Sequence, residues 1–289
     1  MRDLGRGGVW SGGLRRVDPA ESAEAAAELD ELGYGAIWIP GGSGGDVFGD
    51  CRRLLAATQR AVVAPGILNI WMHSSAETCT GHAELTAEFP ERFLLGLGVS
   101  HERPVSASGQ TYERPYSKMV AFLDELDAGD PPVKEGERVL AALGARMLEV
   151  SRQRACGAHP YFTTVEHTAA AREVLGEGSL LATEVMVALE TDPAAARAVA
   201  RQHMERYLTL PNYTNNLIRH GFSEGDIADG GSDRLVDAIV GWGDEAAIAA
   251  RIEEHLAAGA DHVCIQVIEP DPSALPRDAW RTLAPALLG

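Results

Sequence analysis

Short runs of apolar, often β-branched residues alternate along this chain with longer amphipathic segments. This alternation is typical of parallel βα units, in which each strand is followed by a helix that covers the sheet. Eight runs fit strands, the fifth least well; they are residues 8–11, 36–40, 62–69, 93–99, 139–142, 158–163, 180–189 and 262–268. The pattern predicts an α/β fold, and eight such units fit either a closed barrel or a large doubly wound sheet.

The helices between these runs carry start and stop signals. Asp18 can cap a helix that begins at Pro19 and closes at Gly33. In the last unit, Asp244 and Gly259 bracket a helix with apolar residues on one face, directly before the eighth strand. The capping residues and the apolar periodicity therefore predict the same βα units.

One stretch, residues 202–240, is too long for a simple loop. We expect it to hold an extra helix over residues 213–219, between strands 7 and 8, which would overhang the mouth of a barrel. No segment has the composition of a linker between domains. A chain of 289 residues, 45% of them hydrophobic, can bury one large core. The sequence predicts a single domain over residues 1–289.

Composition excludes several classes of partner. A formal net charge of −17 argues against nucleic acid, whose binding rests on clustered Lys and Arg. Neither an apolar leader nor a run of about eighteen apolar residues occurs, so we expect a cytoplasmic protein without membrane contact. The cysteines, Cys51, Cys79, Cys156 and Cys264, are scattered, which predicts reduced thiols and no metal site.

The exit of the fourth strand offers candidate chemistry. At Gly98 the missing Cβ would let a planar cofactor approach the backbone, although His101 stands where a dinucleotide fingerprint has its third glycine. His101, His159 and His167 all fall near the predicted mouth, where a neutral imidazole can move a proton near neutral pH. A single such histidine is more often structural.

A phosphate could bind at either of two places. Residues 143–147 join the fifth strand to a helix, where free N–H groups, the helix dipole and Arg146 would attract an anion. The general rule for barrels instead favours the last strands, where the glycine-rich segments 230–232 and 241–243 lie. Spacing alone does not choose between them.

The sequence lacks the common motifs of enzymes that catalyse reactions without an organic cofactor. The sequence has no GxSxG elbow, no HExxH helix and no paired carboxylates, which disfavours hydrolase and metalloenzyme chemistry. The pattern favours a bound cofactor as the reactive group.

Four segments together carry a resemblance to a known family. They are LGYGAIWIP at 32–40, RFLLGLG at 92–98, LGARM at 143–147 and AGADHV at 258–263. In this order they resemble the luciferase-like monooxygenase superfamily, and within it an actinobacterial branch of oxidoreductases that use the deazaflavin coenzyme F420. The resemblance spans nearly the whole chain and implies a (β/α)₈ TIM barrel.

The resemblance also implies where the cofactor lies. Its ring would cross the strand ends and its phosphate would sit at the fifth strand's exit, which favours residues 143–147 over the glycine-rich alternatives. Many family members have a bulged third strand with a cis non-proline peptide, for which Gly66-Ile67 is the candidate. The implied cofactor-binding residues are Pro40, Gly41, Gly66, Ile67, Asn69, Gly98, Val99, Ser100, Leu143, Gly144, Ala145, Arg146 and Met147.

His101 is the candidate catalytic residue. It falls where a related sugar-phosphate dehydrogenase has a glutamate proposed to handle a proton. The chain departs from that relative at the second strand's end, where Pro40 and Gly41 replace an acid–histidine pair, so a sugar-phosphate substrate is not implied. Residues expected to line the substrate space are Trp71, His159, Tyr161 and Tyr213.

The leading hypothesis is hydride transfer between coenzyme F420, an 8-hydroxy-5-deazaflavin, and a small organic substrate, with His101 relaying a proton. Arg146 would meet the phosphate, and Arg52, Arg53 or Arg103 the anionic tail. The close alternative is a two-component FMN monooxygenase served by a separate cofactor reductase. A second alternative is a non-catalytic flavin-binding protein, and a cofactor-free lyase or hydrolase is remote. The family favours a homodimer.

Overall fold

The structure is a computed structural model that describes residues 2–271 and 274–289. All strand pairs among these residues are parallel. The strands are β1 (Gly7–Trp10), β2 (Ala36–Gly41), β3 (Val62–Asn69), β4 (Leu95–Gly98), β5 (Arg138–Leu140), β6 (Gly157–Ala158), β7 (Leu180–Ala188), β8 (Val240–Trp242) and β9 (His262–Val267). Their order is β6-β5-β4-β3-β2-β1-β9-β7, and pairing of β6 with β7 closes the ring.

Helices surround this ring. They are α1 (Pro19–Leu32), α2 (Val47–Ala57), α3 (Ser75–Glu88), α4 (Glu102–Ala107), α5 (Pro115–Asp127), α6 (Ala145–Arg154), α7 (Val165–Leu175), α8 (Pro193–Met204), α9 (Pro211–Arg219), α10 (Glu224–Ile227), α11 (Asp233–Ile239), α12 (Glu245–Ala257) and α13 (Arg277–Leu288). The fold is therefore a TIM barrel, as the resemblance implied. Within the described ranges, no helix is long and apolar enough to cross a membrane.

The predicted elements compare closely with the observed ones. All eight predicted strands are present, and the capping of α1 is confirmed, because Asp18 accepts the N–H of Ala20 at 2.8 Å and Gly33 has a φ of 96°. The short strand β8 was not predicted, since its glycine-rich sequence fitted a phosphate loop. It extends the sheet beside the end of β7, where Met186 pairs with Val240.

The segment between β7 and β8 folds over the barrel as predicted. We call it the overhang; it comprises α8 to α11, and its helix α9 (Pro211–Arg219) contains the predicted helix. Its apolar side chains form a cluster of their own, in which Tyr207, Tyr213 and Leu217 pack with Phe162 from the barrel. The overhang is thus held by its own small core next to the mouth.

Aromatic packing fills the inside of the barrel. Trp38 from β2 stacks on His159, with ring centroids 4.1 Å apart and an interplanar angle of 8°, and its indole N–H donates to Nε2 of His262 on β9 at 3.2 Å. Small residues such as Ala36, Ala64 and Ala182 share this interior cluster and leave room for the indole. The barrel is therefore a packed core rather than a pore.

Close contact between β3 and β4 gives a test of this packing. A Cβ on Gly96 would lie 2.0 Å from the backbone oxygen of Pro65, whereas one on Gly136 would meet nothing within 4 Å. We expect Gly96→Ala to lower the free energy of unfolding by about 3 kcal/mol, because backbone cannot move aside as a side chain can. Urea unfolding should show Gly136→Ala close to wild type. Equal midpoints for the two variants would contradict this register.

Candidate active site

A cavity of about 690 Å³ opens at the carboxyl ends of the strands, beneath the overhang. Barrel enzymes place their active sites at this face, and the volume is that of a ligand site. Its lining residues are Trp10, Pro40, Gly42, Ser43, Gly66, Ile67, Val99, Ser100, His101, Tyr112, Pro115, Tyr116, Ala141, Ala142, Leu143, Gly144, Ala145, Arg146, Met147, His159, Tyr161, Arg206, Tyr207, Asn212, Tyr213, Asn215 and Arg219.

The charge of this cavity is opposite to that of the protein. Arg146, Arg206 and Arg219 line it, while no Asp or Glu does among the residues described. None of the three forms an ion pair with a described carboxylate, although arginines elsewhere, such as Arg15 and Arg197, do. In a chain of net charge −17, a local excess of guanidinium groups favours an anionic ligand.

The floor of the cavity is backbone rather than side chain. The Gly66-Ile67 peptide is cis, as predicted, and the Gly66 carbonyl accepts the indole N–H of Trp10 at 3.2 Å. A Cβ on Gly66 would lie 2.7 Å from Nε1 of Trp10 and 2.9 Å from Nε2 of His159. Glycine is therefore required where β3 passes over the barrel interior, and a flat group can lie close to its backbone.

The exit of β5 presents an open helix N-terminus. Gly144 is the N-cap of α6 and offers no side-chain cap, so the first N–H groups of the helix, at Ala145 and Arg146, have no intrahelical acceptor. The Arg146 guanidinium lies over the Tyr116 ring at 4.3 Å, and Nη1 of Arg219 would be 3.3 Å from a Cβ on Gly144. Two cations and a positive helix end therefore converge here.

His101 stands at the exit of β4 and caps α4 through its backbone. Its ring centroid is 5.0 Å from that of Tyr213 in the overhang, and its buried Nδ1 has no partner among the described residues. Burial lowers the pKa of His101 below its usual range. The side chain is thus an uncharged imidazole that can accept a proton.

His159 faces the cavity from below. Its Nδ1–H donates to the carbonyl of Ala182 at 2.8 Å, and its Nε2 is buried without a described partner. Burial lowers the pKa of His159 to about 4. A neutral ring with a fixed tautomer therefore supports the floor at Gly66.

A chain of hydrogen bonds, which we call the hydroxyl chain, runs from the overhang through Tyr161 to Gln266 on β9. Tyr161 donates to Oε1 of Gln266 at 2.6 Å, so the 2.6 Å contact with Tyr207 is a bond that Tyr207 donates. Arg206 in turn donates to the Tyr207 oxygen. The amide of Gln266 donates to Nε2 of His203 at 3.1 Å. The direction of every hydrogen bond in this chain is therefore set.

Glu184 on β7 is a buried carboxyl group next to these tyrosines. Its Oε2 accepts the N–H of Phe162 at 3.1 Å, and its Oε1 has no partner among the described residues. Burial raises the pKa of Glu184 to about 8. It is therefore mostly protonated at neutral pH and adds little negative charge under the cavity.

The structure gathers most of the predicted site residues in this cavity. Those that line it are Pro40, Gly66, Ile67, Val99, Ser100, His101, Leu143, Gly144, Ala145, Arg146, Met147, His159, Tyr161 and Tyr213. Their convergence agrees with the predicted position of the site. Their individual roles remain predictions.

Four predicted residues are not among the lining residues. The fully buried amide of Asn69 bonds to the Gly42 carbonyl and the Trp71 N–H, each at 3.0 Å, so it orders the loop after β3 instead of facing a ligand. The Trp71 indole donates to the Val99 carbonyl at 2.8 Å. Gly41 and Gly98 lie behind Ile67, and a Cβ on Gly98 would come within 2.4 Å of its side chain.

Other lining residues were missed by the sequence analysis. Tyr112 and Tyr116 lie in the segment after β4, and Arg206, Tyr207 and Arg219 belong to the overhang. These segments carry no motif, and only the fold brings them over the mouth.

The arginines predicted to bind the cofactor tail lie away from the cavity. Arg52 pairs with Glu84 and Glu88, and Arg53 pairs with Asp50. Neither these two residues nor Arg103 lines the cavity. In the described part of the chain, no group of three or more His, Cys, Asp or Glu residues is arranged to hold a metal ion.

The fold and this site agree with a family match. The model of the luciferase-like monooxygenase family matches residues 4–262, and the chain belongs to that family. A search of curated proteins finds no match.

Several solved structures share the fold at low identity. An F420-dependent secondary alcohol dehydrogenase, in complex with an F420–acetone adduct, has a TM-score of 0.73 at 12% identity, with 98% of this chain and 99% of that chain covered. The F420-dependent tetrahydromethanopterin reductase of Methanopyrus kandleri has a TM-score of 0.70 at 15% identity, with 99% and 98% covered. The oxygenating constituent of the 3,6-diketocamphane monooxygenase of Pseudomonas putida, in complex with FMN, has a TM-score of 0.68 at 15% identity, with 97% and 96% covered.

Replacing Glu184 by Gln tests its protonation. A carboxyl whose pKa is raised by folding contributes stability that is present at low pH and is lost as the pH rises to about 8. We expect the free energy of unfolding of wild type, relative to Glu184→Gln, to fall by about 1 kcal/mol between pH 7 and 8. The comparison cancels the contribution of the histidines. A constant difference between the two proteins over this range would show that Glu184 is already ionised.

Proposed function

We propose that this protein is an oxidoreductase that uses a deazaflavin, coenzyme F420, to transfer a hydride to or from a small organic substrate. One observation carries the proposal: uncharged His101 lies in the same carboxylate-free cavity as the open N-terminus of α6. The first group suits the proton that accompanies a hydride, and the second suits a phosphate-bearing cofactor.

The residues of the cavity fit such a cofactor. The cis Gly66-Ile67 backbone provides a flat floor, which rests on Trp10 and His159 because Gly66 has no Cβ to hold it away from them. At the β5 exit, Arg146, Arg219 and the N–H groups of Ala145 and Arg146 would hold the phosphate. When bound, the deazaflavin supplies or takes up the hydride.

The chain's own contribution is orientation and proton handling. His101 is uncharged because burial lowers its pKa, so it is ready to accept a proton from a substrate hydroxyl. Tyr161, Tyr207 and Tyr213 form an aromatic wall that would exclude water from this part of the cavity. The resting protonation of His101 therefore suits the direction in which substrate is oxidised.

Cofactor titration tests the binding assignment. Quenching of intrinsic tryptophan fluorescence should show that coenzyme F420 binds to wild type, and that Arg146→Gln and Arg219→Gln each weaken binding by about tenfold, the size of one charge-assisted contact. Arg152→Gln removes the same charge from an exposed position of α6 and should change nothing. If neither cavity variant alters affinity, the phosphate lies elsewhere.

A pH profile with His101→Ala tests the proton role. With oxidised coenzyme and a panel of small secondary alcohols, chosen after the alcohol dehydrogenase that shares the fold, kcat/KM should be level above pH 6.5 and fall below it. The lowered pKa places the acid limb there, because protonated His101 cannot act as base. His101→Ala should lose activity by about 10²-fold or more, and His73→Ala should not. Unchanged turnover would remove His101 from the mechanism.

A two-component FMN monooxygenase is the second candidate. It is supported by the family, whose description is luciferase-like monooxygenase, and by the FMN-bound neighbour. Parallel titrations with FMN and coenzyme F420 separate the two. Tight binding of FMN without binding of the deazaflavin would favour the monooxygenase, and binding without turnover in either assay would favour a flavin-binding protein.

A further inference from the structure

The cavity has a second cationic end, away from the β5 exit. Arg206 belongs to the overhang and bonds to Tyr207. Tyr161, its next neighbour in the hydroxyl chain, bonds to Gln266 on β9 and packs on Trp10 of β1 with ring centroids 5.2 Å apart. In the closed strand order, β1 lies four strands from β5 in either direction. The Arg206 end therefore lies toward β1 and β9, whereas the proposed phosphate site lies at the exit of β5.

No described side chain neutralises Arg206. Its guanidinium lies over the Tyr207 ring at 4.4 Å and bonds to the hydroxyls of Tyr207 and Tyr161, and it has no carboxylate partner in the parts of the chain described. A guanidinium has five N–H donors in a planar fork, and two hydroxyls can occupy only part of it. The fork is held in place and still has donors for a ligand.

The neighbouring tyrosines cannot serve as the counter-charge. Burial raises the pKa of both Tyr207 and Tyr161, so both hydroxyls stay neutral. Each hydroxyl already donates its proton within the chain, Tyr207 to Tyr161 and Tyr161 to Gln266. The Gln266 amide donates to His203, which fixes the orientation of that amide. Glu184 below them is mostly protonated at neutral pH. Because no described carboxylate pairs with the exposed Arg206 guanidinium, its positive charge is available to an anionic ligand in the cavity.

We propose that Arg206 binds the carboxylate of the substrate, so that the substrate class is a small organic acid. The assignment rests on the proposed function, because it gives the β5 end to the cofactor and leaves this end to the substrate. A planar guanidinium matches the charge and the two oxygens of a carboxylate. Trp10, Tyr161 and Tyr213 would pack against the acid's apolar part.

Matched ligands test this site directly. Calorimetric titration would compare small carboxylic acids, such as benzoate, phenylacetate and 4-phenylbutyrate, with the neutral amide of each. We expect wild type to bind at least one acid about tenfold more tightly than its amide, and Arg206→Gln to lose that preference. Arg206→Lys keeps the charge without the fork and should retain part of it. Arg152→Gln, on the outer surface of α6, should keep it fully.

The same variants should be titrated with coenzyme F420 and FMN, after circular dichroism and thermal unfolding confirm that they are folded. Arg206→Gln should leave cofactor affinity within twofold of wild type. If it weakens the cofactor and leaves acid binding intact, Arg206 serves the cofactor and the proposal is overturned. Absence of any preference for acids in wild type would also overturn it. If neither cofactor binds to wild type, yet Arg206→Gln loses acid binding, the proposed function fails while the carboxylate site stands.

Discussion

The stacking of Trp38 on His159 inside the barrel fixes the position of the cavity floor above it. It joins β2 to the exit of β6, and further hydrogen bonds from the two rings reach His262 on β9 and Ala182 on β7. His159 then meets Gly66 of β3 from below. Because protein interiors are close-packed, these contacts leave the cavity floor little freedom to sink or tilt. A rigid floor is what a planar cofactor requires.

Charge in this protein is sorted by location. Many arginines on the outer helices are paired with carboxylates, while those at the cavity are not. The outer pairs neutralise each other, whereas the guanidinium groups at the cavity wall keep a positive charge that no described carboxylate pairs with. The acidic surface therefore does not cancel the attraction that the cavity exerts on an anion, and it repels anions that approach elsewhere.

The sequence predicted the βα units and the strand exits because both are local, whereas the closed barrel was implied only by the family resemblance. Apolar periodicity and caps such as Asp18 and Gly33 are written into neighbouring residues. Asn69 does not line the cavity, because its amide bonds to Gly42, which lies 27 residues away in the sequence. Arg206 and Glu184 were missed for a related reason: one is brought to the cavity by the overhang, and the other acquires its neutral state only through burial.

The overhang shares its apolar cluster with barrel residues such as Phe162 and Met186, and Leu143 at the β5 exit packs against the same cluster. The overhang also carries Arg206 and Arg219, two of the three arginines that line the cavity. A shift of the overhang would therefore move both guanidinium groups relative to the barrel, so its packing and the charge of the cavity are mechanically coupled.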